Sequence, residues 1–336
     1  MKRHAKLVLI LSIVVLIIAV PLSVLIISHS QQKKNSETVT YAAPLTLAAA
    51  PIYVADAKGF WHDAGINVKV SYFSSGAKAL DALLANDADV MSVSETPPLR
   101  AYLNGAKINI ISTMTEHREA KLTVRTNEIS KPQDMVRKKI GTVPGTNSDY
   151  YMYRWLVANN IKTSQVTIIP FNNPSAMVQA LVQGNIDAMF AWEPYNYDVT
   201  NEITALAKSY PTPAQLYSGR TTVVMNSSYL NSHLGAAKGI IEGLIKAVDY
   251  INSNPNGAKK IVMARTGMSI KSLDALWNEY DYKVELDNGL HAILNNETSW
   301  IKSSGGDGTN MGPSKIVNAT VLLGINSNRV GSDFKH

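Results

Sequence analysis

The stretch Gly-Thr-Val-Pro-Gly-Thr-Asn-Ser-Asp-Tyr-Tyr, residues 141 to 151, has the residue types and order to hold an anion. A short apolar run ends at Val143, and Pro144 and Gly145 supply a turn. Thr146, Asn147 and Ser148 then open a segment in which Met152, Trp155 and Leu156 share a helical face. The first backbone N–H groups of a helix have no partner within it and sit at its positive end. Hydroxyl and amide side chains placed there suit an anionic oxygen. The same residues would also serve as an ordinary helix cap.

Catalytic chemistry has little to work with. The chain contains no cysteine, which excludes disulfides, thiol nucleophiles, iron–sulfur clusters and cysteine-based zinc sites. Its 7 histidines, among them His62, His117, His233 and His291, are scattered without metal-ligand spacing. The serine-hydrolase elbow, the zinc-protease His pair and the phosphate-binding P-loop are missing. The expectation is a binding protein with no enzymatic activity, metal or cofactor.

Short apolar runs alternate with amphipathic stretches from Tyr41 onward, the pattern of an α/β layered fold. Strands are expected at Leu45 to Ala49, Val68 to Tyr72, Val90 to Val93, Ile108 to Thr113, Leu122 to Arg125, Lys139 to Val143, Val166 to Ile169, Ala188 to Trp192 and Thr222 to Met225. In the helix expected over Ala77 to Ala85, Leu80, Leu83 and Leu84 form a buried stripe and Ser75 is placed to cap the start. After Ser227 the pattern is helical, including Ile270 to Tyr280. Two segments repeat one unit 98 residues apart: Ala82 to Val90 (ALLANDADV) and Ala180 to Ala188 (ALVQGNIDA). In each, a helix stops at Asn86 or Gly184 and a polar turn carrying Asp89 or Asp187 launches a strand.

The 336 residues are 46% apolar, enough for a large core and most simply two globular units. Their net charge of +6 is concentrated at the start, where residues 1–40 contribute +4. The remainder has too weak a basic field for a nucleic-acid partner. Leu7 to Ile27 is 21 residues without a charge, behind Lys2, Arg3 and Lys6. As a helix it would span about 30 Å, which favours an uncleaved signal anchor over a cleaved signal peptide, with the rest of the chain outside the membrane. Residues 28–40 read as a polar linker.

Three motifs in order carry a family resemblance: Pro51 to Val70 (PIYVADAKGFWHDAGINVKV), Lys138 to Leu156 (KKIGTVPGTNSDYYMYRWL) and Gly184 to Tyr195 (GNIDAMFAWEPY). Over about Thr46 to Asn252 the chain resembles the solute-binding proteins for sulfonates, taurine, nitrate and thiamine-pyrimidine precursors, within the type II periplasmic binding proteins. The resemblance implies two α/β lobes joined by a two-crossing hinge and closing on a ligand. Lobe one would comprise residues 41–126 plus 222–336 and lobe two residues 127–221, with the first crossing after Leu122 to Arg125. It implies a monomer that receives a small-molecule ligand outside the membrane and passes it to ABC permease subunits, the N-terminal helix contacting the membrane. A membrane-anchored sensor on the same fold is the alternative. An enzymatic branch making a thiamine precursor depends on a cysteine-rich iron motif that this chain lacks.

Ligand residues are then expected in the loops after strands. From lobe one these are Tyr53, Ser74, Ser75, Glu95, Thr96 and Arg118; from lobe two, Thr146, Asn147, Ser148, Trp192 and Glu193. Trp192 and Glu193 would offer an aromatic face and a carboxylate to a cation or ring nitrogen. Family members commonly carry small residues where Glu95 stands, so a zwitterion or nitrogen heterocycle fits better than a simple anion. Arg118 would pair with an acid group of the ligand or neutralise Glu116 or Glu119 at the surface.

Overall fold

A computed structural model describes residues 38–127, 129–305 and 312–335. The expected membrane or signal helix at Leu7 to Ile27 lies outside the described residues, among which no helix is long and apolar enough to cross a membrane.

Two sheets organise the chain. The first contains β1 (Thr38–Pro44), β2 (Asn67–Phe73), β3 (Val90–Ser94), β4 (Ile108–His117), β10 (Gly219–Asn226) and β11 (Tyr280–Glu285) in the order β11-β4-β10-β3-β1-β2. The second contains β5 (Lys121–Arg125), β6 (Lys139–Thr142), β7 (Thr167–Pro170), β8 (Ala188–Ala191) and β9 (Ala207–Tyr210) in the order β7-β6-β8-β5-β9. The plans correspond. β1 pairs in parallel with β2 and β3, as β6 does with β7 and β8. Beside each parallel trio lies one antiparallel strand that arrives from the other half of the chain, β10 in the first sheet and β5 in the second. The chain therefore passes between the sheets at residues 118–120 and again at 211–218.

The repeated Asp units close equivalent corners. Asp89 accepts hydrogen bonds from the Thr40 N–H at 2.8 Å and the Thr40 hydroxyl at 2.6 Å, clipping the start of β3 to β1. Asp187 accepts from the Lys139 N–H at 2.8 Å, clipping the start of β8 to β6. Each is preceded by a left-handed residue that ends a helix, Asn86 with φ of 62° and Gly184 with φ of 77°.

Several sequence expectations are corrected. The first strand is Thr38–Pro44, partly inside the expected linker, whereas Leu47–Ala49 is a buried 3-10 turn leading into the helix Ala50–Lys58. The apolar run there packs as a helix start because its alanines have no β-branched bulk to favour a strand. Leu122 to Arg125 belongs to the second sheet, so the first crossing precedes it instead of following it. The expected helix Ile270 to Tyr280 stops at Leu276, and after a 3-10 turn Tyr280–Glu285 alternates buried and exposed residues as an edge strand. β9 has only Ala207 buried along its length, and nothing in its composition marks it in the sequence.

Candidate functional site

The carboxyl ends of all six parallel strands open on one cleft between the two sheets. β1 leads to Leu45 and Thr46, β2 to Ser74 and Ser75, and β3 to Ser94 and Pro97. Opposite them, β6 leads to Val143 and Thr146, β7 to Asn172 and Asn173, and β8 to Trp192. An open α/β sheet binds ligands at this edge because helices start there with unpaired N–H groups facing out. The cavity measures about 550 Å³, room for a small organic molecule.

Three of the helices that begin at its wall carry side-chain caps. Gly76–Leu84 is capped by Ser75, whose hydroxyl accepts from the Lys78 N–H at 3.3 Å. A Cβ on Gly76 would stand 2.1 Å from Val93 Cγ2, so only glycine lets this helix start lie against β3. Asn147–Ala158 is capped by Thr146, whose hydroxyl accepts from the Asp149 N–H at 3.4 Å and donates to the Val143 carbonyl at 2.8 Å. Gly145 precedes it at φ of 77°, and its N–H donates to Asp149 at 2.8 Å. Pro174–Val182 is capped by Asn173, which accepts from the Ala176 N–H at 2.9 Å. Asn147 lines the cleft while only 3% exposed. Its side-chain oxygen accepts from the Ser148 N–H at 3.0 Å, and its Nδ2 has no hydrogen-bond partner in the protein. A buried amide N–H without an acceptor is costly, and a ligand oxygen would remove that cost.

Of the residues expected from sequence, Ser74, Ser75, Thr146, Asn147 and Trp192 line the cleft together. Trp192 is half-buried, with Tyr195 edge-on at 6.0 Å and also in the lining. The other six do not line it. Tyr53 is buried, and its hydroxyl meets the carbonyls of Pro44 and Thr46 at 3.0 and 2.9 Å, which holds the loop that does. Ser148 is buried behind Asn147. Thr96 donates to Glu297 at 2.6 Å, and Arg118 is exposed.

The two expected carboxylates are tied into the protein. Glu95 is fully buried, accepting from the Tyr217 hydroxyl and from the Arg220 N–H at 2.8 Å; burial raises its pKa against those bonds. Glu193 accepts from the Tyr197 N–H at 2.9 Å and pairs with Lys121 Nζ at 2.9 Å, and Lys121 also reaches Glu279 at 3.1 Å. Burial lifts the Glu193 pKa even against that ammonium, while Lys121 is lifted because its two carboxylates outweigh its own burial. The lysine is therefore the firmly charged member, and it joins the corner after β8 to Glu279 in the 3-10 turn before β11.

The lining also includes residues that sequence reasoning did not select. Asn173 was readable, because Asn followed by Pro174 is a strong helix-start signal. Glu119 was not, since it lies in the crossing between sheets and no local pattern marks it. Away from the crossings, the helix Asn147–Ala158 meets Trp300 of the helix Asn288–Ser303 through Tyr150 and Tyr153, ring centres 5.2 and 6.1 Å apart.

Comparison with known proteins agrees with this architecture. The taurine-binding periplasmic protein of Escherichia coli is 27% identical over 161 residues, 48% of this chain and 50% of that protein. A putative aliphatic sulfonates-binding protein of Bacillus subtilis is 26% identical over 152 residues, 44% of this chain and 46% of that protein. The chain thus spans about half the length of the curated relatives it matches. Among solved structures, the periplasmic aliphatic sulphonate binding protein SsuA of Escherichia coli superposes with a TM-score of 0.72 at 15% identity, over 85% of this chain and 99% of that one. This likeness establishes the α/β periplasmic binding protein fold. The family model described as NMT1/THI5 like matches residues 47–258, and the chain belongs to the NMT1/THI5-like family.

Proposed function

We propose that this chain is the solute-binding receptor of an ABC-type importer, working outside the membrane without catalysis and capturing a small organic anion of the sulfonate class. One observation carries the reading. Three capped helix starts and the unpartnered, buried Asn147 amide face a single cleft between two sheets. Such a wall offers N–H donors and a positive dipole end to an anion. The names of the curated relatives, taurine-binding and aliphatic sulfonates-binding, agree with that chemistry, and a periplasmic relative agrees with the location.

The two sheets with their helices act as two lobes, and the crossings at 118–120 and 211–218 form the hinge on which they close. The receptor works as a monomer, delivers its solute to membrane permease subunits and is held at the membrane by the apolar segment Leu7 to Ile27. Thermal unfolding of the full-length chain with alkanesulfonates, aminosulfonates, nitrate and pyrimidines tests the reading. A sulfonate present at 100 times its dissociation constant should add about 2.7 kcal/mol of stability. Stabilisation by pyrimidines alone, or by none of these compounds, would refute it.

A further inference from the structure

Among the described residues, two charged side chains line the cleft, Lys78 and Glu119. Lys78 is 67% exposed and sits 3.4 Å from Asp81, so its charge is shared and solvated. Glu119 is the reverse case: it rises from the first crossing and is only 6% exposed. Its Oε2 accepts from the Tyr280 hydroxyl at 2.9 Å, and its Oε1 lies 3.7 Å from His117 Nδ1.

The surroundings of Glu119 provide no cation dedicated to it. His117 is buried, and its burial, followed by the nearby Arg220 charge, lowers its pKa to about 3, so it is neutral. Lys121 acts on Glu119 but is held by Glu193 and Glu279. Glu193 and Glu95 add negative charge, and Tyr280 and Tyr282 are neutral phenols. Burial, reinforced by those two carboxylates, raises the Glu119 pKa to about 8 despite the Tyr280 hydrogen bond. At neutral pH the cleft therefore holds a mostly protonated carboxyl that lacks a cationic partner.

We infer that Glu119 is a specificity-determining residue that receives the ammonium group of a ligand whose acidic end rests on the helix starts, so that the receptor selects organic anions carrying a protonated amine. The acidic end of this arrangement rests on the proposed function; the amine end rests on Glu119 alone. On entry, the ligand ammonium keeps its protons and the Glu119 carboxyl gives its own to the solvent. One positive charge enters as another leaves, so the buried charge around the crossing is conserved. An ammonium also supplies several donors to a carboxylate that has only the Tyr280 hydroxyl at hydrogen-bond distance.

The test is titration calorimetry of the full-length chain at pH 7 in two buffers of different ionisation enthalpy, with 2-aminoethanesulfonate and ethanesulfonate as probes. With the carboxyl titrating near pH 8, about 0.9 proton should leave per aminosulfonate bound and none per ethanesulfonate. The aminosulfonate should bind at least tenfold more tightly, and Glu119→Gln should abolish both the proton release and the preference. Equal affinities, or aminosulfonate binding without proton release, would overturn the role of Glu119 and leave the anion site standing. Failure of both sulfonates to bind would overturn the anion site and this inference with it.

Discussion

Replacing Lys121 by methionine should turn a well-paired carboxylate into an unpaired buried one. Lys121 Nζ stands 2.9 Å from Glu193 and 3.1 Å from Glu279, and the three side chains are 10%, 2% and 25% exposed. Glu279 can rehydrate, so most of the loss falls on Glu193. Removing one member of a buried ion pair costs about 3–5 kcal/mol when the other stays charged, which corresponds to a fall of roughly 6–10 °C in melting temperature. Protonation limits that cost. Burial already lifts the Glu193 pKa, and without the lysine it rises further. Lys121→Met should therefore cost more at pH 8 than at pH 5, because burial and the loss of the lysine both favour protonation of Glu193 as the pH falls. Adding Glu193→Gln should recover much of the loss at pH 8. Scanning calorimetry of the three proteins at both pH values measures this. An equal loss at pH 5 and pH 8 would show that the lysine stem, through packing, accounts for the effect and would refute the electrostatic reasoning.

Further outcomes follow from the same geometry. Glu119 holds its proton more tightly folded than unfolded, so stability should fall as pH rises from about 4.5 to about 8 and then level off. Glu119→Gln should make that slope shallower in denaturant melts at pH 5 and pH 8.5. Trp192→Ala should weaken ligand binding by about 1–3 kcal/mol and leave the melting temperature of the empty protein nearly unchanged, because Trp192 lines the cleft and is half-buried. Glu193→Gln should do the opposite, lowering the melting temperature at pH 8 with little direct effect on affinity, because Glu193 faces Lys121 and the Tyr197 N–H. Calorimetric affinities and melting curves separate the two.

The features legible in the sequence were those determined locally. Thr146 before Asn147–Ala158 and Ser75 before Gly76–Leu84 announce helix starts through residues next to them in the chain, and the structure shows both as caps. The Asp89 and Asp187 units were legible for the same reason, and their similarity reflects the shared plan of the two sheets. The orientation of the carboxylates was not legible. Glu95 follows a parallel strand as a cleft residue should, yet it turns to Tyr217, 122 residues away, and to Arg220 on β10. Glu119 reaches the cleft because the chain changes sheets beside it, and Tyr280, 161 residues away, holds its carboxyl. The first crossing was misplaced because Leu122 to Arg125 reads as a strand without indicating which sheet it joins.

On the proposed function, the helix-start wall also bears on how fast a solute is captured. The partial charge at a helix end fades within about a turn, whereas a cluster of free lysines or arginines attracts an anion over a Debye length of roughly 10 Å. In this cleft the lining cation, Lys78, is shared with Asp81 and open to solvent. The lining itself therefore adds little electrostatic steering to the encounter. On the proposed function, added salt should leave the capture rate nearly unchanged, which stopped-flow binding at low and high ionic strength measures.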